Sequence, residues 1–248
     1  MESTSDLAAK TIRESSTEII EPLLVHCDQQ TAGRGQRGNT WQSTPESLTF
    51  TWCIRESSIP ANARNLLSLA AAVAAIEAID ANANRRFQVK WPNDIVFGTK
   101  KIGGILIESI AARQPWVLIG IGLNVNQTSS NQLAVDPKAA FAPGSIREAT
   151  GQDIDKQKLM HAIVDALFQI FFEDPDRDIV SAVSEVLAFK GKQIRFQNPD
   201  QTERTGKLIG VNETGHLVLD TGDRTDSYYS GSIVGLAGNH MDSSERDS

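Results

Sequence analysis

The chain has 248 residues, with 24 Lys and Arg against 31 Asp and Glu. Its net charge of −7 argues against non-specific nucleic-acid binding, which needs a basic face. An apolar fraction of 40% suffices for one sizeable domain plus a small one. The longest apolar stretch, 66–79, is Ala-rich, broken by Glu77 and too short to span a membrane. No basic start leads into an apolar block, so no signal peptide is expected. Cys27 and Cys53 read as reduced core thiols of a cytoplasmic protein.

In chain order, residues 3–16 suggest a short helix and 23–27 a compact apolar strand leading into a glycine-rich loop. Residues 47–54 (SLTFTWCI) are β-rich. Residues 62–81, rich in Ala and Leu with apolar positions three and four apart, give the firmest helix. A short strand over 87–91 stops at Pro92. The apolar runs 102–110 and 116–125 are expected to pair across the turn at 112–115, and 127–144 reads as a polar connection. Amphipathic helices follow over 156–172 and 178–189. From Lys190 the pattern changes to short strands at 193–196, 205–211, 216–219, 225–229 and 232–236, separated by Asn, Gly and Pro turn signals. Five such strands in under fifty residues suggest a small barrel. Residues 239–248 read as a disordered polar tail.

Residues 33–41, GRGQRGNTW, place three glycines and two arginines within six positions. Such a backbone is costly to order unless an anion draws it closed. Gly33, Gly35 and Gly38 satisfy G-x-G-x-x-G, but the helix that must open after a dinucleotide fingerprint is missing, and no Gly-Lys-Ser/Thr closes a phosphate loop. Arg34, Arg37, Lys90, Lys100 and Lys101 put positive charge among glycines, a proline and β-runs, the composition of a site edge. Condensing a carboxylate with ATP needs such a cluster, because two anions meet and pyrophosphate leaves with more charge. Read from the residues alone, Asp94 is a metal ligand or an ordinary turn Asp, Trp41 a ligand contact or plain packing, and Lys101 a site cation or a solvent-facing lysine. His26 reads as structural.

The Arg-Gly loop, KWPNDI (90–95), KIGGILIE (101–108) and GIGLNVN (120–126) together resemble the catalytic domain of biotin protein ligases, in family order and spacing over most of the chain. The resemblance implies an α+β fold: a central mixed β-sheet flanked by helices, of the class II synthetase-like biotin/lipoate ligase type, followed by a small SH3-like β-barrel. It divides the chain into a catalytic domain at 1–188, an SH3-like domain at 189–238 and the tail. It also implies a two-step reaction. Biotin and ATP with Mg²⁺ give biotinyl-5′-adenylate, and biotin then passes to a lysine of a biotin carboxyl carrier domain.

By the same resemblance, Ser3, Thr4, Ser5, Gln30, Arg34, Gly35, Gln36, Lys101 and Gly104 hold biotin. Gly33, Arg37, Trp41, Lys90, Asn93 and Asn124 hold ATP or the adenylate. Lys101, Arg34 and Lys90 are catalytic, and Asp94 binds metal or assists the acceptor lysine. The chain departs from the family at Gln36, where a second arginine is usual, at Ser5, where asparagine is usual, and in having only Met1 and Glu2 before the Ser-Thr-Ser element. No helix-turn-helix precedes that element, so no DNA binding is expected; a homodimer is possible. A lipoate or octanoate ligase and a catalytically silent binding protein are the alternatives.

Overall fold

The computed structural model describes residues 1–83, 86–128 and 140–237. The expected tail at 239–248 and residues 129–139 of the expected connection lie outside the described residues. The N-terminal elements are α1 (Thr4–Glu14), β1 (Leu23–Cys27), the two-residue strands β2 (Gly33–Arg34) and β3 (Thr40–Trp41), β4 (Ser47–Arg55) and α2 (Leu67–Ala83). Next come β5 (Gln88–Lys90), β6 (Asp94–Phe97), β7 (Lys100–Ile110), β8 (Trp116–Asn124), β9 (Ala142–Pro143), α3 (Ile146–Thr150), α4 (Lys156–Phe168) and α5 (Ile179–Val186). The chain ends in β10 (Gln193–Gln197), β11 (Glu203–Val211), β12 (Leu217–Asp220), β13 (Thr225–Tyr228) and β14 (Ser232–Leu236).

The main sheet runs β1-β4-β8-β7-β6-β5, antiparallel throughout. Only β9 joins β7 in parallel, so the sheet is mixed. Strand alternation gives its two faces different partners. Leu48, Phe50, Trp52 and Ile54 of β4 share a core with Val117, Ile119, Ile121 and Leu123 of β8 and the apolar faces of α2 and α4. α2 is apolar over most of its surface, with Glu77 on its exposed side paired to Arg177. On the opposite face, Cys53 and Leu118 pack under Ala8, Ala9 and Ile12 of α1. That face is only half covered, and the functional groups gather on its uncovered half.

The β6 strand, the short β9 and α3 were not expected from the sequence. β6 opens on a buried charge, Asp94, and follows a proline, so neither alternation nor composition marks it. The helix expected over 156–172 passes at Gln169–Glu173 into a wider π turn closed by Asp174 N–H on Gln169 O. The C-terminal strands form an antiparallel sheet ordered β13-β12-β11-β10-β14, with no pairing that closes β13 onto β14 among the described residues. Its inward side chains, Ile194, Phe196, Leu208, Leu217, Leu219 and Ile233, are fully buried in the same core as the main sheet. Its β11–β12 turn is seated by Gly215, at φ 77, where a Cβ would lie 2.8 Å from Leu66. Trp91 fastens the same turn by donating Nε1–H to Gly215 O at 2.9 Å.

Candidate active site

Register builds the pocket floor. Thr49, Gly122, Gly104 and Asp94 face one another in a row across β4, β8, β7 and β6, with Thr51, Gly120 and Leu106 in the next row. Two glycines at alternate positions of one strand leave a hollow on one face. The glycine loop closes over it. β2 pairs with β3 through Gly33↔Trp41 and Arg34↔Thr40, and Gly35 N–H donates to Asn39 O at 2.7 Å. Gly33 is required for this hairpin, since a Cβ there would stand 2.4 Å from Trp41 O. After Gly38 the chain enters β3 and no helix opens, in agreement with the rejected dinucleotide reading.

One end of the hollow is polar and neutral. Ser3, Thr4 and Ser5 are buried at the start of α1, where Ser3 caps the helix. Gln30 Oε1 accepts from Thr4 N–H at 2.7 Å and Thr4 Oγ1–H at 3.1 Å. Thr51 Oγ1–H donates to Thr4 Oγ1 at 2.8 Å and shares a hydrogen bond with Ser5 Oγ at 3.1 Å. Ser43 Oγ fixes the Gln30 backbone by accepting from its N–H at 2.7 Å. A chain of oriented hydroxyls and one amide suits a neutral, hydrogen-bonding head group.

The other end is charged. Lys101 Nζ stands 2.5 Å from Asp94 Oδ1, and Lys90 Nζ 2.8 Å from Asp94 Oδ2. Burial pushes the Asp94 carboxyl up, but Lys90 and Lys101 outweigh that and hold it below the usual carboxylate range. Arg34 forks onto Glu108 at 2.8 and 2.9 Å and reaches Asp6 at 2.8 Å. Trp41 lies on the glycine floor: a Cβ on Gly122 would meet its ring at 2.6 Å. Asn93 ties its turn to β7 through Nδ2–H on Ile105 O at 2.8 Å.

The pocket thus gathers Ser3, Thr4, Ser5, Gln30, Arg34, Gly35, Gln36, Arg37, Trp41, Asn93, Asp94, Lys101 and Gly104. It does not gather Lys90, Lys100, Asn124 or Gly33. Lys90 is 3% exposed and stands behind Asp94, its ammonium 4.9 Å from the Phe141 ring. Strand alternation turns Lys100 away from Lys101, toward Glu148 at 3.6 Å. Asn124 is buried and spends its amide on Gly144 O at 3.0 Å. Three of the five expected cations therefore line the pocket. Sequence reading missed Thr49, Thr51, Gly120, Gly122, Gly231 and Ser232. Only the alternate glycines of GIGLN carried a signal, a bare strand face.

The expected metal role of Asp94 does not fit. Both of its oxygens are occupied by ammonium groups, and no cluster of three His, Cys, Asp or Glu that could hold a metal occurs among the described residues. No helix among them is long and apolar enough to cross a membrane.

Residues 1–126 match the Biotin/lipoate A/B protein ligase family. The chain belongs to that family. Relatives of this ligase family include the bifunctional ligase/repressor BirA of Bacillus subtilis, 33% identical over 90% of this chain and 70% of that protein. The biotin–[acetyl-CoA-carboxylase] ligase of Mycobacterium tuberculosis is 27% identical over 90% of this chain and 83% of its own. Among solved structures, the biotin protein ligase of Aquifex aeolicus in complex with biotin and ATP superposes with a TM-score of 0.72 at 24% identity, covering 94% of each chain, and so shares the fold. The Leishmania major ligase in complex with biotin gives 0.66 at 25% identity, over 92% of this chain and 94% of that one.

Proposed function

We propose that the chain is a biotin–protein ligase that forms biotinyl-5′-adenylate from biotin and ATP and passes biotin to a lysine of a carboxylase carrier domain. The observation that carries this reading is the polarity of one continuous hollow, from the neutral Thr4–Gln30 network to the Lys101 ammonium. Biotin has the same polarity, a neutral ureido head and a carboxylate tail. With the head at Gln30, the carboxylate meets Lys101, which exchanges part of its pairing with Asp94 for the substrate anion. As a carboxylate oxygen attacks the α-phosphorus and the bond from that phosphorus to the departing pyrophosphate breaks, Lys101 stabilises the charge shared between carboxylate and phosphate. Arg34 stands across the hollow, ready to trade Glu108 for phosphate. Trp41 offers a flat face for adenine, and the hairpin excludes water from the mixed anhydride.

In the second step the carrier amine attacks the anhydride carbonyl and AMP leaves. Asp94 is a poor proton acceptor for that amine, because its carboxyl is already held as the anion by two lysines. Magnesium would travel with the nucleotide phosphates, since the described residues offer it no cluster of three His, Cys, Asp or Glu. Lys90 serves by fixing Asp94, and through it Lys101. Cytoplasmic residence agrees with a carrier-protein substrate.

Biotin-dependent ATP–pyrophosphate exchange tests this reading. Exchange with biotin and not with lipoate or octanoate is the expected result. Exchange only with the latter acids makes the chain a lipoate-type ligase, and no exchange with any of them makes it a silent binding protein. Gly122→Ala is expected to raise KM for ATP about tenfold, because the new methyl displaces the Trp41 ring, an overpacking cost of about 1–3 kcal/mol. An unchanged KM for ATP in exchange kinetics would remove Trp41 from the nucleotide site.

A further inference from the structure

We propose that Arg37 is a positioning residue: it ties the glycine loop to the C-terminal sheet, and this tie, not a charge placed on phosphate, is how it keeps the adenylate in the pocket. The inference rests on the adenylate-forming reading above.

Arg37 sits at the tip of the hairpin with φ 57 and ψ 34, next to Gly38 at φ 80. Its guanidinium spans 193 positions of sequence to donate to Ser230 Oγ at 3.1 Å and, one residue further, to Gly231 O at 3.0 Å. Both bonds come from the one terminal nitrogen, Nη2, which is thereby held at the turn between β13 and β14.

The acceptor turn is itself rigid. Gly231 has φ 143, and a Cβ there would fall 2.0 Å from Phe196 Cζ, so the turn is moulded against that ring. Phe196 is fully buried and lies 6.1 Å from the Trp91 ring. Trp91 opens the turn that leads into β6 and Asp94. The loop tip is therefore clamped to a body continuous with the charged end of the pocket, and Gly231 and Ser232 form part of the pocket wall. The loop position beside Arg37 is Gln36, which brings no charge, so the tip of the loop is held by this mechanical tie.

The test uses the full chain. Amide hydrogen exchange without ligand is followed in segments 35–39 and 230–232 for wild type, Arg37→Lys, Arg37→Ala and Ser230→Ala. Lys keeps the charge, but its ammonium ends one bond short of the Nη2 position that makes both contacts. All three variants are expected to exchange faster in both segments. Adenylate formed from labelled biotin should be lost about three- to tenfold faster, the scale of an exposed charged hydrogen bond, and for Ser230→Ala, which leaves the guanidinium in place, KM for ATP stays at the wild-type value. The proposal is overturned if Arg37→Lys or Ser230→Ala retains the adenylate like wild type, if exchange at 230–232 is unaltered, or if Ser230→Ala raises KM for ATP. If the wild type makes no adenylate, the ligase reading falls, and the hydrogen-exchange arm still decides whether the tie exists.

Discussion

Lys101→Ala is expected to lower the rate of adenylate formation at least about a hundredfold, or roughly 2.7 kcal/mol of transition-state stabilisation, with the fold intact. Lys101 is the lysine whose ammonium lines the pocket, and its side chain is 36% exposed, so little packing is lost with it. Asp94 keeps Lys90 as a partner in the variant, so no buried charge is stranded. The effect should appear in kcat for pyrophosphate exchange, since charge accumulates between carboxylate and α-phosphate only as the bond forms. Melting temperature should stay within a few degrees of wild type. Retained exchange would remove Lys101 from the mechanism and return attention to Lys90.

Asp94→Ala is expected to act first on stability. It leaves the Lys90 ammonium almost completely buried without a counter-ion, a loss of about 3–5 kcal/mol. For a chain of this size that corresponds to a melting point lower by about 6–20 °C. The double variant Lys90→Met with Asp94→Ala should recover much of the loss, because it strands no charge. If Asp94→Ala melts like wild type, Lys90 does not depend on this carboxylate.

The same pairing sets the acid response. The Asp94 carboxyl is held below its ordinary value: burial raises it, and the two lysines outweigh burial. The folded value therefore lies under the unfolded one. Its stabilisation is complete above the unfolded value of about 3.9 and drains away as pH falls through the folded value. Wild-type stability should accordingly fall more steeply below about pH 4 than that of the double variant, as chemical denaturation across that range would show.

Much of this architecture is local and was readable. A compact apolar run marked β1, and a short β-like segment set off by turn signals marked β14, both at their observed ends, while helical patterning located α2 and α4. The neutral half of the site, Ser3 to Ser5 with Gln30, was legible through its resemblance to the family. Lys90 was misread as a site cation because a lysine beside a tryptophan and a proline looks the same whether it faces a hollow or a core. Asp94 was open between turn and metal ligand, and the third possibility, a counter-ion shared by two lysines, depends on where β7 lies.

By itself the sequence determined the elements, the placing of glycine where a side chain cannot fit, and the set of charges available for acyl-phosphate chemistry. These follow from short-range sterics and from period-two or period-3.6 patterning along neighbouring residues. Only the tertiary structure decided which charges meet. Strand register put Gly104 and Gly122 in one row with Asp94, alternation sent Lys101 and Lys100 to opposite faces, and the folding back of the C-terminal sheet brought Ser230 under Arg37. Each of these depends on contacts between distant segments, whose partners no local pattern specifies.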